Sequence, residues 1–267
     1  MNVVAMTRSK AKSTLRAIFA FFTRLKYPHL RITEPPESRP SVASVHYLVN
    51  QLGAHSPVGL THRRSTAYHE LPFPNLRLMT SRNDLSLRVS RITENLAVES
   101  KYGLDIGCAV GGVSFALQAA GARMVGIDRD LPSINVAAEC EALYNTGARF
   151  LHSEFCLKNL AGILSTAADP VSKEVDFAVW FSSFNWVAKE LGGSETKNVL
   201  AQLSSSSRVL VADSAIGGKG QAAMSSLGID SNQDFSSFVL NNSNYSKVRK
   251  IGTDKSWYGR DIFLFER

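Results

Sequence analysis

The chain has 267 residues, of which 44% are hydrophobic, so it is long enough to form one domain with a substantial core. Its three cysteines are odd in number and show no CxxC spacing, which argues against a disulfide framework and a structural zinc site. The formal net charge of +7 is concentrated near the N-terminus: residues 1–33 hold seven basic and no acidic side chains, whereas the rest holds 23 of each. The balanced charge of the remaining chain therefore disfavours nucleic acid as a partner, which is kept as an alternative.

The basic N-terminal arm, residues 1–41, carries apolar side chains at helical spacing. These are Leu15, Ile18, Phe19, Phe22 and Leu25. Such a segment suits a helix packed on the domain, an interfacial membrane helix or an organellar transit peptide. Its apolar run is much shorter than the roughly 20 residues that span a bilayer. We therefore expect a cytoplasmic protein, with peripheral membrane contact through residues 10–26 as an alternative.

The remainder of the chain divides at a linker. Residues 35–40 contain three prolines, which interrupt any helix. Residues 42–97 lack strand alternation and predict a helical cap for substrate recognition, with helices over 44–52 and 85–96 and with Asp84 capping the second. From residue 98 to residue 267, strands and helices alternate as in βαβ units. Strands are predicted at 102–106, 123–128, 149–152, 175–181 and 208–213, followed by an antiparallel hairpin at 247–251 and 260–265.

The most informative segment is an apolar strand that runs into an acid and a cluster of small residues. Asp105 is followed by Gly107, Ala109 and Gly111, and a second strand ends at Asp128, 23 positions after the first acid. Small residues let the backbone turn sharply and approach a ligand, and Asp128 is placed to bind both hydroxyls of a ribose. A carboxylate at Asp105 would repel a pyrophosphate but attract a cation. The pattern therefore favours S-adenosylmethionine, which carries a sulfonium and no phosphate, over NAD.

Residues 103–112 resemble motif I of the class I (Rossmann-like) S-adenosylmethionine-dependent methyltransferases, in its Leu-Asp-Ile-Gly-Cys variant. The resemblance implies a doubly wound α/β fold. Its sheet has seven mostly parallel strands and an antiparallel C-terminal hairpin whose last strand inserts between its neighbours, and a helical N-terminal extension precedes it. The implied cofactor contacts in this region are Asp105, Gly107, Cys108, Ala109, Gly111, Asp128 and Arg129. The alternative is a strand-to-helix turn of another α/β protein, with Asp105 as a helix N-cap.

Two further segments extend the resemblance. Glu154 follows the third strand, where the family places an acid against the adenine amino group, and Phe155 comes next to pack on the ring. Segment 181–186 follows the fourth strand, in the place of motif IV, where acceptor and sulfonium meet. It implies a cofactor contact at Ser182 and acceptor contacts at Phe184, Asn185 and Trp186, with the two aromatic rings flanking the sulfonium. Packing of the aromatic residues in the core is the alternative.

Methyl transfer is an in-line displacement, so a general base is needed only for a poorly nucleophilic acceptor such as an alcohol. The candidates for a catalytic group are Asn185, Asp213 and His69. The histidines have no metal-ligand spacing, and no metal is expected. The arginines between residues 77 and 91 could hold an anionic acceptor, but we favour their placement on a solvated helix face.

These features favour an S-adenosylmethionine-dependent methyltransferase that moves a methyl group to oxygen or nitrogen of a small-molecule or glycan-like acceptor. One alternative is a methyltransferase that modifies tRNA or rRNA, which would need the basic residues of the arm and of 77–91 to form one continuous stripe. The other is a non-catalytic S-adenosylmethionine-binding protein whose basic arm docks to a membrane or to another subunit.

Overall fold

The computed structural model describes residues 40–52, 67–78, 80–214, 216–217, 220–255 and 259–267. Within these residues the helices are α1 (Val42–Gln51), α2 (Leu85–Thr93), α3 (Gly112–Ala119), α4 (Leu131–Tyr144), α5 (Leu157–Ala167), α6 (Phe184–Ser206), α7 (Gln221–Ser226) and α8 (Asn232–Asn241). The strands are β1 (Tyr102–Ile106), β2 (Arg123–Asp128), β3 (Arg149–His152), β4 (Val175–Trp180), β5 (Ser207–Asp213), β6 (Lys247–Thr253) and β7 (Asp261–Glu266).

The seven strands form one sheet with the order β3-β2-β1-β4-β5-β7-β6. Strands β1 to β5 run parallel, and β7 is antiparallel to both of its neighbours, β5 and β6. The strand order reverses between β1 and β4, and in doubly wound sheets ligands bind at this switch point, outside the carboxyl ends of the strands. The predicted sheet, including the inserted last strand, is confirmed.

Side chains of the sheet alternate between two hydrophobic clusters, one on each face. In β4, Ala178 and Trp180 face the cluster under α5, α6 and α8, whereas Phe177 and Val179 face the cluster under α2 and α3. A third, smaller cluster packs α1 against α4 and against residues 67–78. The central strands are covered on both faces, which explains why β4 is almost entirely apolar.

Two helices precede the sheet in the described chain. Helix α1 begins at a capping box in which the backbone N–H of Ser44 donates to Ser41 Oγ at 3.0 Å and the N–H of Ser41 donates to Ser44 Oγ at 2.7 Å. Helix α2 begins after Asp84, as predicted, but the predicted cap is wrong. The Asp84 carboxylate makes no capping hydrogen bond and instead accepts hydrogen bonds from Arg82 and Arg88.

The N-terminal arm lies outside the described residues, apart from Pro40 and Ser41, and so does the membrane contact expected through residues 10–26. In the ranges that the structure describes, none of the helices has the length and apolar character needed to cross a membrane. The helical extension, the membrane contact and the division into arm, cap and methyltransferase-like domain stay predictions.

Two glycines offer a matched test of this packing. Gly103 is buried in β1, where a Cβ would lie 2.5 Å from Met124 Sδ and 2.5 Å from Phe177 Cζ, whereas a Cβ at the exposed Gly162 of α5 would meet no atom within 4 Å. We expect Gly103→Ala to lower the free energy of unfolding by about 1–3 kcal/mol, because the core must expand. Gly162→Ala should raise it by up to about 1 kcal/mol, since alanine favours a helix. Urea unfolding measures the change in the free energy of unfolding for both variants. Equal changes in the two variants would contradict the described packing of Gly103.

Candidate functional site

The turn between β1 and α3 has three residues in the left-handed backbone region. The φ angle is +74° at Gly107, +49° at Ala109 and +85° at Gly111. The N–H of Gly107 donates to the carbonyl oxygen of Ile127 in β2 at 2.9 Å, which fixes the start of the turn on the neighbouring strand. A Cβ at Gly107 would lie 2.4 Å from Ser183 Oγ, so the turn passes directly against the segment that follows β4. We call residues 107–111 the glycine turn.

Asp128, at the end of β2, holds the glycine turn from the side. Its Oδ2 accepts a hydrogen bond from the N–H of Ala109 at 2.8 Å, and its Oδ1 accepts one from the N–H of Asp130 at 2.8 Å. A carboxylate has about four lone-pair sites, so one such group can accept from several donors at once. The side chain is half-buried, which suits a group that ties the turn to β2 and also faces a ligand.

Asp105, which the resemblance implies as a cofactor contact, lies buried beneath the glycine turn. Its side chain is 3% exposed, and its carboxylate accepts a hydrogen bond from Ser114 Oγ of α3 at 2.7 Å. Burial and the nearby charge of Asp128 raise the pKa of Asp105 to about 7. The alternative role of Asp105 as a helix N-cap is wrong, because Gly111 occupies that position. Cys108 is likewise buried, and burial raises the pKa of its thiol.

The residues expected on the adenine side are placed beside Asp128. The N–H of Ser153 donates to the backbone oxygen of Asp128 at 3.0 Å, so the segment after β3 adjoins the end of β2, and the next residue, Glu154, is exposed there. Phe155 is 8% exposed, and its ring packs edge-on against Trp180 at 5.0 Å between centroids. Phe155 is thus mainly a core residue.

Arg129 follows Asp128 and forms an ion pair with Glu190 of α6. Both side chains are close to half exposed, so this pair contributes little to stability. The carbonyl oxygen of Arg129 also accepts a hydrogen bond from His152 Nε2 at 2.9 Å, when that nitrogen carries the proton.

The acceptor residues predicted in segment 181–186 separate into buried and accessible ones. Phe184 has no exposed surface and packs on Trp180 and Phe235, so the core alternative applies to it and it cannot touch an acceptor in this conformation. Asn185 is 3% exposed, and its side chain lies against the backbone of Gly220. Trp186 is half-buried, and the ammonium of Lys189 lies 5.6 Å from its ring centroid.

Five charged side chains meet at the carboxyl edge of the sheet, next to Ser182. We call Arg82, Asp84, Arg88, Asp213 and Asp254 the arginine cluster. Nη2 of Arg88 donates to Oδ2 of Asp213 at 2.9 Å and of Asp254 at 2.8 Å, and the Arg88 guanidinium lies 4.7 Å from the ring centroid of Phe181. Nη2 of Arg82 donates to Asp84 at 2.5 Å and to Asp254 at 2.9 Å. With two cations and three carboxylates, the cluster carries a net charge of −1.

This cluster corrects two expectations. Arg88 is fully buried and does not lie on a solvated helix face, although Arg91 does, at 40% side-chain exposure. Asp213, a candidate base, has no exposed surface and is bonded to Arg88 and Ser182, so it acts here as a structural anion.

Ser182 joins the arginine cluster to the segment after β4. Its φ of +58° is in the left-handed region, which is uncommon for a serine. The N–H of Ser182 donates to Asp213 Oδ1 at 2.9 Å, and its hydroxyl donates to Asp213 Oδ2 at 3.0 Å and accepts from Arg82 and Arg88. The hydrogen bonds hold this backbone conformation, and they leave the Ser182 hydroxyl with its donor and both lone pairs engaged.

His69 lies between the arginine cluster and the first turn of α3. It is 5% exposed, and its Nδ1 lies 3.7 Å from Oδ1 of Asp84. Burial, and then the positive charge of Arg88, lower the pKa of His69 to about 3 although Asp84 opposes the shift. The imidazole is therefore neutral at physiological pH. In the part of the chain that the structure describes, no group of three or more His, Cys, Asp or Glu side chains is arranged to hold a metal ion.

Sequence reasoning missed the ionic partners in this region. Asp84 and Arg88 are four residues apart on or next to one helix, a spacing that pairs charges, so this contact had a local signal. The contacts of Asp254 had no local signal in the sequence, because the hairpin of β6 and β7 brings this residue to Arg82 and Arg88.

No family model matches the chain. The WbdD protein of Escherichia coli, named O-antigen chain terminator bifunctional methyltransferase/kinase, is 30% identical over 113 residues, which are 42% of this chain and 15% of WbdD. A crystal structure of WbdD aligns with 82% of this chain and 46% of that chain, at 19% identity and a TM-score of 0.58. A structure of monomeric WbdD aligns with 81% of this chain and 48% of that chain, at 21% identity and a TM-score of 0.56.

The chain has the fold of the class I S-adenosylmethionine-dependent methyltransferases, as the resemblance of residues 103–112 implied. The strand order and the alignments with WbdD agree on this point. The chain spans about half of the WbdD chain seen in those crystals and 15% of the curated WbdD sequence.

Two arginines of α2 test the arginine cluster. Arg88→Met should lower the free energy of unfolding by about 3–5 kcal/mol, because it leaves the carboxylates of Asp213 and Asp254 buried without their shared partner. The matched change Arg91→Met removes an arginine whose side chain is 40% exposed and pairs with Glu94, and it should change the free energy of unfolding by no more than about 0.5 kcal/mol. Urea unfolding of both variants at pH 7 provides the comparison. Similar values for the two would mean that the cluster does not hold the fold.

The buried carboxyl of Asp105 predicts a pH dependence of stability. Between about pH 4 and 7 the native state keeps a proton that the unfolded chain has released, so the free energy of unfolding falls as the pH rises. Asp105→Asn can keep the hydrogen bond from Ser114 and should remove this fall, which amounts to at most about 4 kcal/mol. Asp169 has a pKa lowered by backbone hydrogen bonds, so its replacement by Asn should change the pH dependence of stability in the opposite direction. Identical pH profiles for wild type and Asp105→Asn would contradict the assignment.

Proposed function

We propose that the chain is an S-adenosylmethionine-dependent methyltransferase that transfers a methyl group to oxygen or nitrogen of a small-molecule or glycan-like acceptor. The observation that carries the proposal is the left-handed glycine turn tied by the N–H of Ala109 to the carboxylate of Asp128. This arrangement supports the proposal, because bare backbone and an acid that can accept hydrogen bonds from ribose hydroxyls lie side by side at the switch point of the sheet. It is the site that an adenosyl cofactor of this fold requires.

The charges around the glycine turn favour a cationic ligand. Asp105 beneath the turn and Asp128 beside it are close enough for the charge of one to raise the pKa of the other. A positive charge above the turn would favour the ionised form of Asp105 and would be attracted by Asp128, whereas a phosphate would be repelled by Asp128 and would favour the protonated form of Asp105. S-adenosylmethionine supplies a methyl group on such a positive sulfur when it is bound.

The roles of individual residues follow from their positions. We assign the methionine part to the glycine turn, the ribose to Asp128 and the adenine edge to Glu154, which is exposed beside the end of β2. Asp105 acts from below and not by direct contact, because its side chain is 3% exposed. Ser182 and Ser183 line the opposite side, where Ser183 Oγ lies against Gly107 and donates to the Ile106 carbonyl oxygen at 3.0 Å.

The acceptor class rests on different support. WbdD is named as a terminator of O-antigen chains and as a methyltransferase, and this name supports a glycan-like acceptor. The buried arginines of the cluster already bind carboxylates, which favours a neutral acceptor over an anionic one.

Calorimetric titration with S-adenosylmethionine tests the cofactor. Asp128→Asn removes the charge and one acceptor oxygen from the ribose site, so binding should weaken by at least about 2 kcal/mol, or about 30-fold. Glu99→Gln changes an exposed acid before β1, at the opposite edge of the sheet, and should bind as the wild type does. Equal affinity of the wild type and Asp128→Asn would reject the ribose site, and absence of binding to the wild type would reject the proposed function.

A further inference from the structure

We propose that His69, oriented by Asp84, takes the proton from the acceptor, and that the acceptor is therefore an alcohol hydroxyl. This inference rests on the proposed methyl transfer and names the acceptor class and the group that serves it. It is carried by the position of His69, by its polar surroundings and by the proton balance of the reaction.

His69 is positioned by a close approach of two backbones. A Cβ at Gly112, the first residue of α3, would lie 2.6 Å from the carbonyl oxygen of Glu70 and 3.1 Å from Cβ of His69. Segment 69–70 therefore lies directly on the residue that follows the glycine turn. On its other side, His69 adjoins the arginine cluster, which hydrogen-bonds to Ser182 after β4. His69 thus lies where the two segments that flank the switch point come together.

The ring of His69 faces a fixed carboxylate. Arg82 holds both oxygens of Asp84, with Nη2 donating to Oδ2 at 2.5 Å and Nε donating to Oδ1 at 3.1 Å, and Nε of Arg88 donates to Oδ2 at 3.2 Å. Oδ1 also lies 3.7 Å from His69 Nδ1. Nδ1 is fully buried and has no hydrogen-bond partner. Buried polar atoms are rarely left unpaired, and catalytic hydrogen bonds are often long in ligand-free structures and tighten in the complex. A proton on Nδ1 pointing to Asp84 leaves the lone pair of Nε2 for a ligand.

A second unpaired donor lies in the same cluster. Nη1 of Arg88 is fully buried and makes no hydrogen bond, although Nε and Nη2 of the same guanidinium bind Asp84, Asp213, Asp254 and Ser182. A hydroxyl is both a donor and an acceptor. Because Arg88 has no exposed surface, Nη1 does not reach an acceptor in this conformation, and the acceptor hydroxyl would donate to Nε2 of His69 alone.

The proton balance requires only a neutral imidazole. The oxygen lone pair of the alcohol forms the new bond to the methyl carbon as the bond between that carbon and the positive sulfur breaks, and its electron pair stays on sulfur. The acceptor oxygen becomes positive and passes its proton to Nε2 of His69, which later releases it to water. A protonated ether is a much stronger acid than an imidazolium, so a ring with a pKa of about 3 still accepts this proton.

The assignment discriminates between acceptor classes. An amine with a free lone pair or an ionised oxygen attacks without a base, so neither needs a buried neutral imidazole at this position. Within the described residues, the other candidate for a base, Asp213, is fully engaged by Arg88 and Ser182.

The tautomer of His69 is the first test, and it needs no acceptor. The measurement is long-range proton–nitrogen NMR of the full chain labelled with ¹⁵N-histidine. The signals of His69 are assigned by their loss in His69→Gln. They should show a neutral ring protonated on Nδ1 from pH 5 to pH 9. A ring protonated on Nε2, or one that titrates near pH 6.5, would overturn the proposal. Unfolding of His69→Gln in urea shows that the variant is folded.

Turnover is the second test, with S-adenosylmethionine and a panel of methyl glycosides, simple amines and carboxylates as probes. Transfer to a glycoside hydroxyl should fall about 100-fold in kcat in His69→Gln, with KM and cofactor affinity within about twofold of wild type. The adjacent change Glu70→Gln is the control and should keep wild-type kcat. Transfer to amines or carboxylates that is unaffected in His69→Gln would overturn the inference and leave the proposed function intact. If the chain binds the cofactor but methylates none of the probes, the tautomer of His69 alone decides whether the proposal stands.

Discussion

The buried guanidinium of Arg88 is the interaction on which the acceptor side of the cleft depends. It has no exposed surface and binds carboxylates that come from the end of β5 and from the residue after β6. A buried charge is stable only while its partners surround it, so these distant parts of the chain must be in place together. Because the hydroxyl of Ser182 bonds to the same groups, the segment after β4 takes its position from α2 and from the hairpin.

The two sides of the switch point differ in how their charges are compensated. On the acceptor side, carboxylates and guanidinium groups neutralise each other almost completely within the protein. On the cofactor side, Asp105 and Asp128 lie near each other, and the only side-chain partner of Asp105 within the described residues is a serine hydroxyl. Charge repulsion there is relieved by holding a proton on Asp105 or by accepting a cation. Ligand binding and protonation are therefore linked at this position.

Much of the fold could be predicted from the sequence because its signals are local. The alternation of strands and helices, the glycine turn and the terminal hairpin all follow from residues close together in the chain. The inserted position of β7 required the family resemblance, since nothing local says which strand it pairs with. The burial of Asp105 likewise has no signal in its own strand, because it depends on α3, whose Ser114 donates to the carboxylate.

The site was predicted less completely than the fold. Asp128 and the glycine turn have a short sequence signature, and the structure brings them together. Arg88 and Asp254 are 166 positions apart, and their contact exists only after the sheet has formed. The sequence around Phe184 is compatible both with contact to a ligand and with burial in the core. In the structure its ring packs on Trp180 and Phe235, so Phe184 is a core residue.

The inserted strand has a consequence for how the molecule assembles. β7 fills the space between β5 and β6, and Val209 to Asp213 of β5 pair with residues about 50 positions later in the sequence. Until β7 arrives, the backbone of β5 presents a free apolar edge, to which another chain could add a strand. Long-range pairing of this kind forms slowly. Until β7 docks, this edge is therefore a site at which the unfinished chain is open to aggregation.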